Sequence, residues 1–161
     1  MAVAEIIGAA VGVLLLVVVA YVLVGGTLTA AETMATAQKD ITLLNEARLR
    51  TCILITVPEI NDDTNSLNFN VTNNGNEIIS DLPHMDVFSF NKTKKEYIRY
   101  PYDTTGSVGT WLDSIYENDY IHKNELDPGV NMTVKVAFYP DSRPDNIQII
   151  TSNGVSASSS V

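Results

Sequence analysis

The run from Ile6 to Leu28 carries no charged side chain and decides what this chain can be. A bilayer's hydrocarbon core of about 30 Å is crossed by about 20 helical residues. In such a solvent every backbone N–H and C=O must be bonded within the segment, which leaves the α-helix as the solution for one lone span. The run is longer than the roughly 7–15 residues of a signal-peptide core and has no basic stretch before it. Between Met1 and Ala31 the sole charged side chain is Glu5. The first thirty or so residues are therefore written for lipid or for a tightly packed helix bundle, and the rest for water.

Helical patterning continues past the apolar run. Met34, Ala37, Ile41, Leu44 and Arg48 recur at steps of three and four, flanked by polar Thr36, Lys39, Asp40, Glu46 and Arg50. A helix of about fifty residues would extend about 75 Å, far more than a bilayer needs. Ala4, Gly8 and Gly12 repeat at four-residue spacing, which lets helices approach closely. The Gly25-Gly26 pair predicts a bend or local melting, because two successive glycines remove side-chain support. Glu5 suits the positive end of a helix dipole. It is read either as a charge partner for a neighbouring subunit's N-terminal amine or as an ordinary interfacial helix-start residue.

From about Thr51 the period changes from helical to alternating. Strands are expected at Cys52–Val57, Leu67–Thr72, Met85–Phe90, Tyr97–Tyr100, Thr110–Leu112, Val130–Tyr139 and Asn146–Thr151. Turn chemistry separates them: Asn61-Asp62-Asp63, Asn73-Asn74-Gly75-Asn76, Asn91-Lys92, Asp127-Pro128-Gly129 and Asn153-Gly154. Seven short strands in about 100 residues predict a β-sandwich, with Met132, Val134, Val136 and Phe138 on one inward face. The fold class expected is α+β: a long N-terminal hydrophobic helix followed by an immunoglobulin-like antiparallel sandwich. The expected organisation is a helix over 1–50, a sandwich over 51–152 and a flexible tail over 153–161, ending in Ser156-Ala157-Ser158-Ser159-Ser160.

Three glycosylation acceptors fall in the sandwich: Asn70-Val71-Thr72, Asn91-Lys92-Thr93 and Asn131-Met132-Thr133. They favour an extracytoplasmic location, and Asn91, placed in a turn, is the one expected to be best exposed. Residues 51–161 hold seven Lys/Arg against fifteen Asp/Glu. An acidic domain lacks the basic patch that nucleic acid requires. The single cysteine, Cys52, excludes an internal disulfide and is expected to be a small buried core residue.

Catalytic chemistry is not legible. His84 and His122 have no partners at metal-ligand spacing. Asn61-Asp62-Asp63-Thr64-Asn65 opens like a calcium loop, but Ser66 stands where the glycine belongs and Thr72 where the closing glutamate belongs. A cation site of another kind using Asp62 and Asp63 is a weak alternative. There is no phosphate-cradling glycine loop or nucleophile elbow. Tyr97, Tyr100, Tyr102, Trp111, Tyr116 and Tyr120 read either as contacts between domains of neighbouring copies or as core. Lys92-Thr93-Lys94-Lys95 reads as a solvated hairpin tip.

The order of apolar helix, early Glu5, amphipathic continuation and β-sandwich resembles the type IV pilin superfamily, in particular its archaeal archaellins and pilins. The motif-like part of that resemblance is Met1–Gly26. The sandwich, with its Asn-rich strand, Pro-Gly turn and Asn153-Gly154-Val155-Ser156 ending, is also similar to membrane-anchored accessory proteins of the archaellum that contact the surface layer. The first resemblance implies a homo-oligomeric helical filament with no cofactor, whose subunits sit in the membrane before assembly. Glu5, Gly8, Gly12, Gly25, Gly26, Met34, Ile41 and Leu44 would then pack in its core. The second implies a permanent anchor whose sandwich binds surface-layer protein. Prepilins carry a short basic leader, and none precedes Met1 here. If Met1 is a processed N-terminus, Glu5 falls at the pilin glutamate; if it is the initiator, the accessory reading gains.

Overall fold

The computed structural model describes residues 2–115 and 122–161. Tyr116 and Tyr120 of the aromatic group, and Met1, lie outside the described residues. The chain divides into two units, Met1–Leu44 and Asn45–Val161.

The first unit is helical, part of a single helix α1 that runs Ala2–Arg50. The helix is continuous through Gly25-Gly26, so the local melting expected there does not occur. Each glycine costs about 1 kcal/mol of helix propensity, which a cooperative hydrogen-bond ladder on both sides absorbs. Threonines around the pair reinforce it: Thr27 Oγ1 donates to Val24 O at 2.9 Å and Thr29 Oγ1 to Gly25 O at 3.0 Å. Thr33, Thr36 and Thr42 make the same bond four residues back. These hydroxyls are satisfied within the helix.

The second unit is a sandwich of eight strands: β1 Ile53–Asn61, β2 Ser66–Asn73, β3 Asp86–Asn91, β4 Glu96–Tyr100, β5 Thr110–Ile115, β6 Asn131–Ala137, β7 Asn146–Ile150 and β8 Ser156–Ser160. They form two antiparallel four-stranded sheets, β1-β2-β6-β5 and β4-β3-β7-β8. In immunoglobulin lettering these are A-B-E-D and C′-C-F-G, so the fold expected from sequence is the fold found. Pro58 sits in edge strand β1 at a register shift between Thr56 and Glu59, where a missing N–H is tolerated.

Alternation builds the core. Leu67, Phe69 and Val71 from β2 face Met132, Val134 and Val136 from β6, and Val87, Ile147 and Ile149 close over them from the other sheet. Trp111 is fully buried, packed edge-on against Tyr102 with ring centroids 4.9 Å apart. Two expectations fail here. Cys52 is exposed, because Thr51, Ile53 and Ile55 take the inward positions and the two-residue period turns Cys52 outward. The segment expected as a flexible tail contains β8, which pairs with β7 from Asn146↔Ser160 to Ile150↔Ser156. Serine has no apolar side chain to announce a strand, yet the backbone ladder against Ile147 and Ile149 is sufficient.

Candidate functional site

Two features of the chain ask for a partner or a solvent other than water. The first is α1. Its large apolar side chains from Val3 to Leu28 are exposed, as are Met34 (68%), Ile41 (58%) and Leu44 (61%). A hydrophobic surface of this extent on a water-soluble monomer would be unusual. Among the described residues this is the one helix long and apolar enough to cross a membrane. Glu5 lies in its first turn, and a Cβ added at Gly8, Gly12, Gly25 or Gly26 would meet nothing within 4 Å.

The second is the socket in which the sandwich unit holds the last turn of that helix. Asn76 N donates to Arg50 O at 2.9 Å and Asn74 N to Cys52 O at 2.8 Å, so the turn after β2 lies directly on the helix end. Gly75 is required there: a Cβ would stand 2.4 Å from Arg50 O and 2.5 Å from Cys52 N. Asn73, fully buried, fixes the turn with three bonds. Its Nδ2 donates to Glu77 O (2.7 Å) and Leu126 O (2.8 Å), and its Oδ1 accepts from Gly75 N (3.0 Å). On the other side, Asn153 Nδ2 donates to Thr51 Oγ1 at 2.7 Å, and that hydroxyl donates to Ala47 O at 2.8 Å. The Arg48 guanidinium lies over Gly154, whose φ is +84°. Arg50 reaches Glu77 at 3.6 Å, but Arg50 is exposed and Glu77 only half-buried, and such a pair contributes at most about 1 kcal/mol. Sequence reading saw Asn73–Asn76 and Asn153-Gly154 as turns; that both turns clasp one helix end is set by tertiary contact.

The three sequon asparagines fall into two kinds. In the β2–β6 register Asn70 faces Thr133 and Thr72 faces Asn131. Thr133 Oγ1 donates to Asn70 Oδ1 at 2.7 Å and Thr72 Oγ1 to Asn131 Oδ1 at 2.6 Å. Two sequons thus pair reciprocally on the outer face of the sheet, using each amide's oxygen and leaving its nitrogen without a hydrogen bond among the described residues. Asn91, expected to be best exposed, is 7% exposed. It folds inward because its turn needs it: Oδ1 accepts from Lys94 N, and Nδ2 donates to Arg143 O, each at 2.8 Å.

The aromatic group divides as well. Tyr100 is buried with its hydroxyl on Ser89 (2.9 Å), and burial raises its pKa despite that bond. Tyr102 is pushed up to about 12 by burial and by the Asp113 carboxylate beside it. Tyr97 is exposed. His84 Nδ1 lies 2.5 Å from Asp81 Oδ1, and the hydrogen bond to that carboxylate raises its pKa. Asp62 pairs with Arg143 at 3.2 Å, and among the described residues no cluster of three His, Cys, Asp or Glu is placed to hold a metal.

These features define a class: an apolar helix carrying an immunoglobulin-like sandwich. No family model matches the chain, and no curated relative matches it in sequence. Solved structures do share its fold. The archaellum periplasmic stator protein FlaG from Sulfolobus acidocaldarius superposes with a TM-score of 0.53 at 21% identity, over 69% of this chain and 99% of that one. A chain in the complex of the archaellum periplasmic stator proteins FlaF and FlaG from the same organism does so with a TM-score of 0.52 at 21% identity, over 68% of this chain and 87% of that one.

Proposed function

We propose that this protein is a membrane-anchored accessory component of an archaellum, with α1 in the bilayer and the sandwich outside it, and with no catalytic role. The carrying observation is the conjunction of an uncovered apolar helix with a sandwich of the fold of FlaG, a protein described as a periplasmic stator. The partners that follow are other archaellum proteins, as FlaG is found in complex with FlaF, and surface-layer protein met by the sandwich.

The test is fractionation of cells that carry the gene. The chain is expected in the membrane fraction after filaments are sheared off, and its deletion is expected to abolish swimming. Deletion without a motility defect would remove the archaellum from the reading.

The filament-subunit reading is kept as a second one by the length of α1, which exceeds a bilayer crossing by more than twenty residues. It predicts this chain as the repeating subunit of the sheared filaments. Recovery in that fraction would replace the accessory reading.

A further inference from the structure

The outer faces of the two sheets treat their polar side chains differently. On β1-β2-β6-β5, asparagine and threonine satisfy one another, as described above. On β4-β3-β7-β8 they do not. The registers place two ranks side by side: Arg99, Phe88, Gln148 and Ser158 in one, and Tyr97, Phe90, Asn146 and Ser160 in the other. Phe88 and Phe90 are half-buried, and Tyr97 is 71% exposed. Phe90 and Tyr97 pack with centroids 4.6 Å apart and planes tilted by 38°. These residues line a shallow groove of about 230 Å³ together with Asn146, Gln148 and Ser158.

The core does not need these rings. The inward positions of the same strands are filled by Val87, Tyr100, Ile147 and Ile149. The side-chain amides of Asn146 and Gln148 and the hydroxyl of Ser158 make no hydrogen bond within the described residues. No charged residue lines the groove, and Arg99 beside Phe88 is paired, its Nη2 2.7 Å from Asp86 Oδ1. Aromatic faces next to uncommitted amides and a hydroxyl, in a groove lined by no charged residue, select a ligand of matching character. That ligand must present polarised C–H groups to a negative ring face, hydroxyls to amides, and no net charge of its own.

We propose that this face is a binding site for a neutral carbohydrate chain, one pyranose ring lying over Tyr97 and Phe90 with its hydroxyls on Asn146, Gln148 and Ser158. The groove is smaller than the roughly 300–1,000 Å³ of enclosed small-molecule pockets. It therefore takes one ring of a longer chain, and affinity for a short oligosaccharide is weak. The site stands on the sandwich alone and is independent of any role in an archaellum.

Saturation-transfer NMR on the full chain tests it, in a polyoxyethylene detergent because sugar-headed detergents would compete. The probes are cellohexaose and mannohexaose. Transfer to at least one is expected. Tyr97→Ala is expected to weaken it about two- to tenfold, the range an aromatic contact contributes. Tyr97→Phe should keep most of the binding, and Thr133→Ala on the opposite sheet should leave it unchanged. Tyr97 is exposed, so its replacement should not unfold the sandwich, and the buried Trp111 reports if it does; in that event Gln148→Ala takes its place with the same expected loss. Absence of transfer from both sugars overturns the proposal. So does transfer that survives these substitutions undiminished. So does a self-associated chain that Tyr97→Ala renders monomeric in ultracentrifugation, which would make the face a contact between copies.

Discussion

Replacing Gly75 by alanine tests the socket at its tightest point. The added Cβ would lie 2.4 Å from Arg50 O and 2.5 Å from Cys52 N, both backbone atoms held by the helix end. Neither can rotate away as a side chain would, so the turn must retreat by about 1 Å to reach ordinary contact. Retreat lengthens the bonds from Asn74 N to Cys52 O and from Asn76 N to Arg50 O, now 2.8 and 2.9 Å. Each contributes about 0.5–1.5 kcal/mol net, and overpacking adds about 1–3 kcal/mol. The expected loss is about 2–6 kcal/mol, a fall in Tm on the order of 10 °C or more for a domain of this size. Trp111 is the chain's single tryptophan and is fully buried in the sandwich, so its fluorescence melt follows that unit without interference from α1. Gly129→Ala is the comparison. Its φ is +81° with nothing within 4 Å of the added Cβ, so it pays backbone strain alone, about 1–2 kcal/mol. A Gly75→Ala melt no lower than that of Gly129→Ala would refute the reasoning.

Further outcomes follow from the same contacts. Asn73→Ala leaves the groups it bonded inside the sandwich short of a partner and is expected to destabilise it by about 2–4 kcal/mol, read from the same fluorescence melt. In a host that N-glycosylates exported proteins, Asn131→Gln is expected to remove a mass increment and Asn91→Gln to remove none, because the Asn131 amide nitrogen has no hydrogen bond among the described residues whereas that of Asn91 is held by Arg143 O; intact mass spectrometry decides it. His84 should titrate above its ordinary value of 6.5 by NMR, and Asp81→Asn should return it toward that value. Because the folded pKa is raised, the stability this pair contributes is complete below 6.5 and is lost as pH rises through the folded value.

The helix and most of the strands were legible because their apolar side chains repeat at the periods of their structures, as in Ile6–Leu28 and in Met132, Val134, Val136 and Phe138. β8 was not, since Ser156–Ser160 offers only the small Ala157 among serines and is ordered by its partner strand. Cys52 was misplaced because an apolar run does not say which residue of an alternating pair points inward; that is fixed by Thr51 inside the socket. Asn91 was misjudged because asparagine in a turn can face water or bond back to the chain, and the deciding acceptor, Arg143 O, is 52 residues away. The aromatic ranks needed the strand registers, for Phe88 and Phe90 alternate with Ser89 and meet Gln148 and Asn146 only through pairing. The sequence pattern located the apolar helix, but not the clasp on its end.

That clasp changes what binding costs the sandwich. A domain on a loose tether surrenders orientational freedom every time it meets a partner, and part of the contact energy is spent on that loss. Here residues 45–50 belong to the same unit as the sheets, so their own freedom is surrendered once, when that unit folds. A partner seated on either sheet then meets those helical residues already ordered.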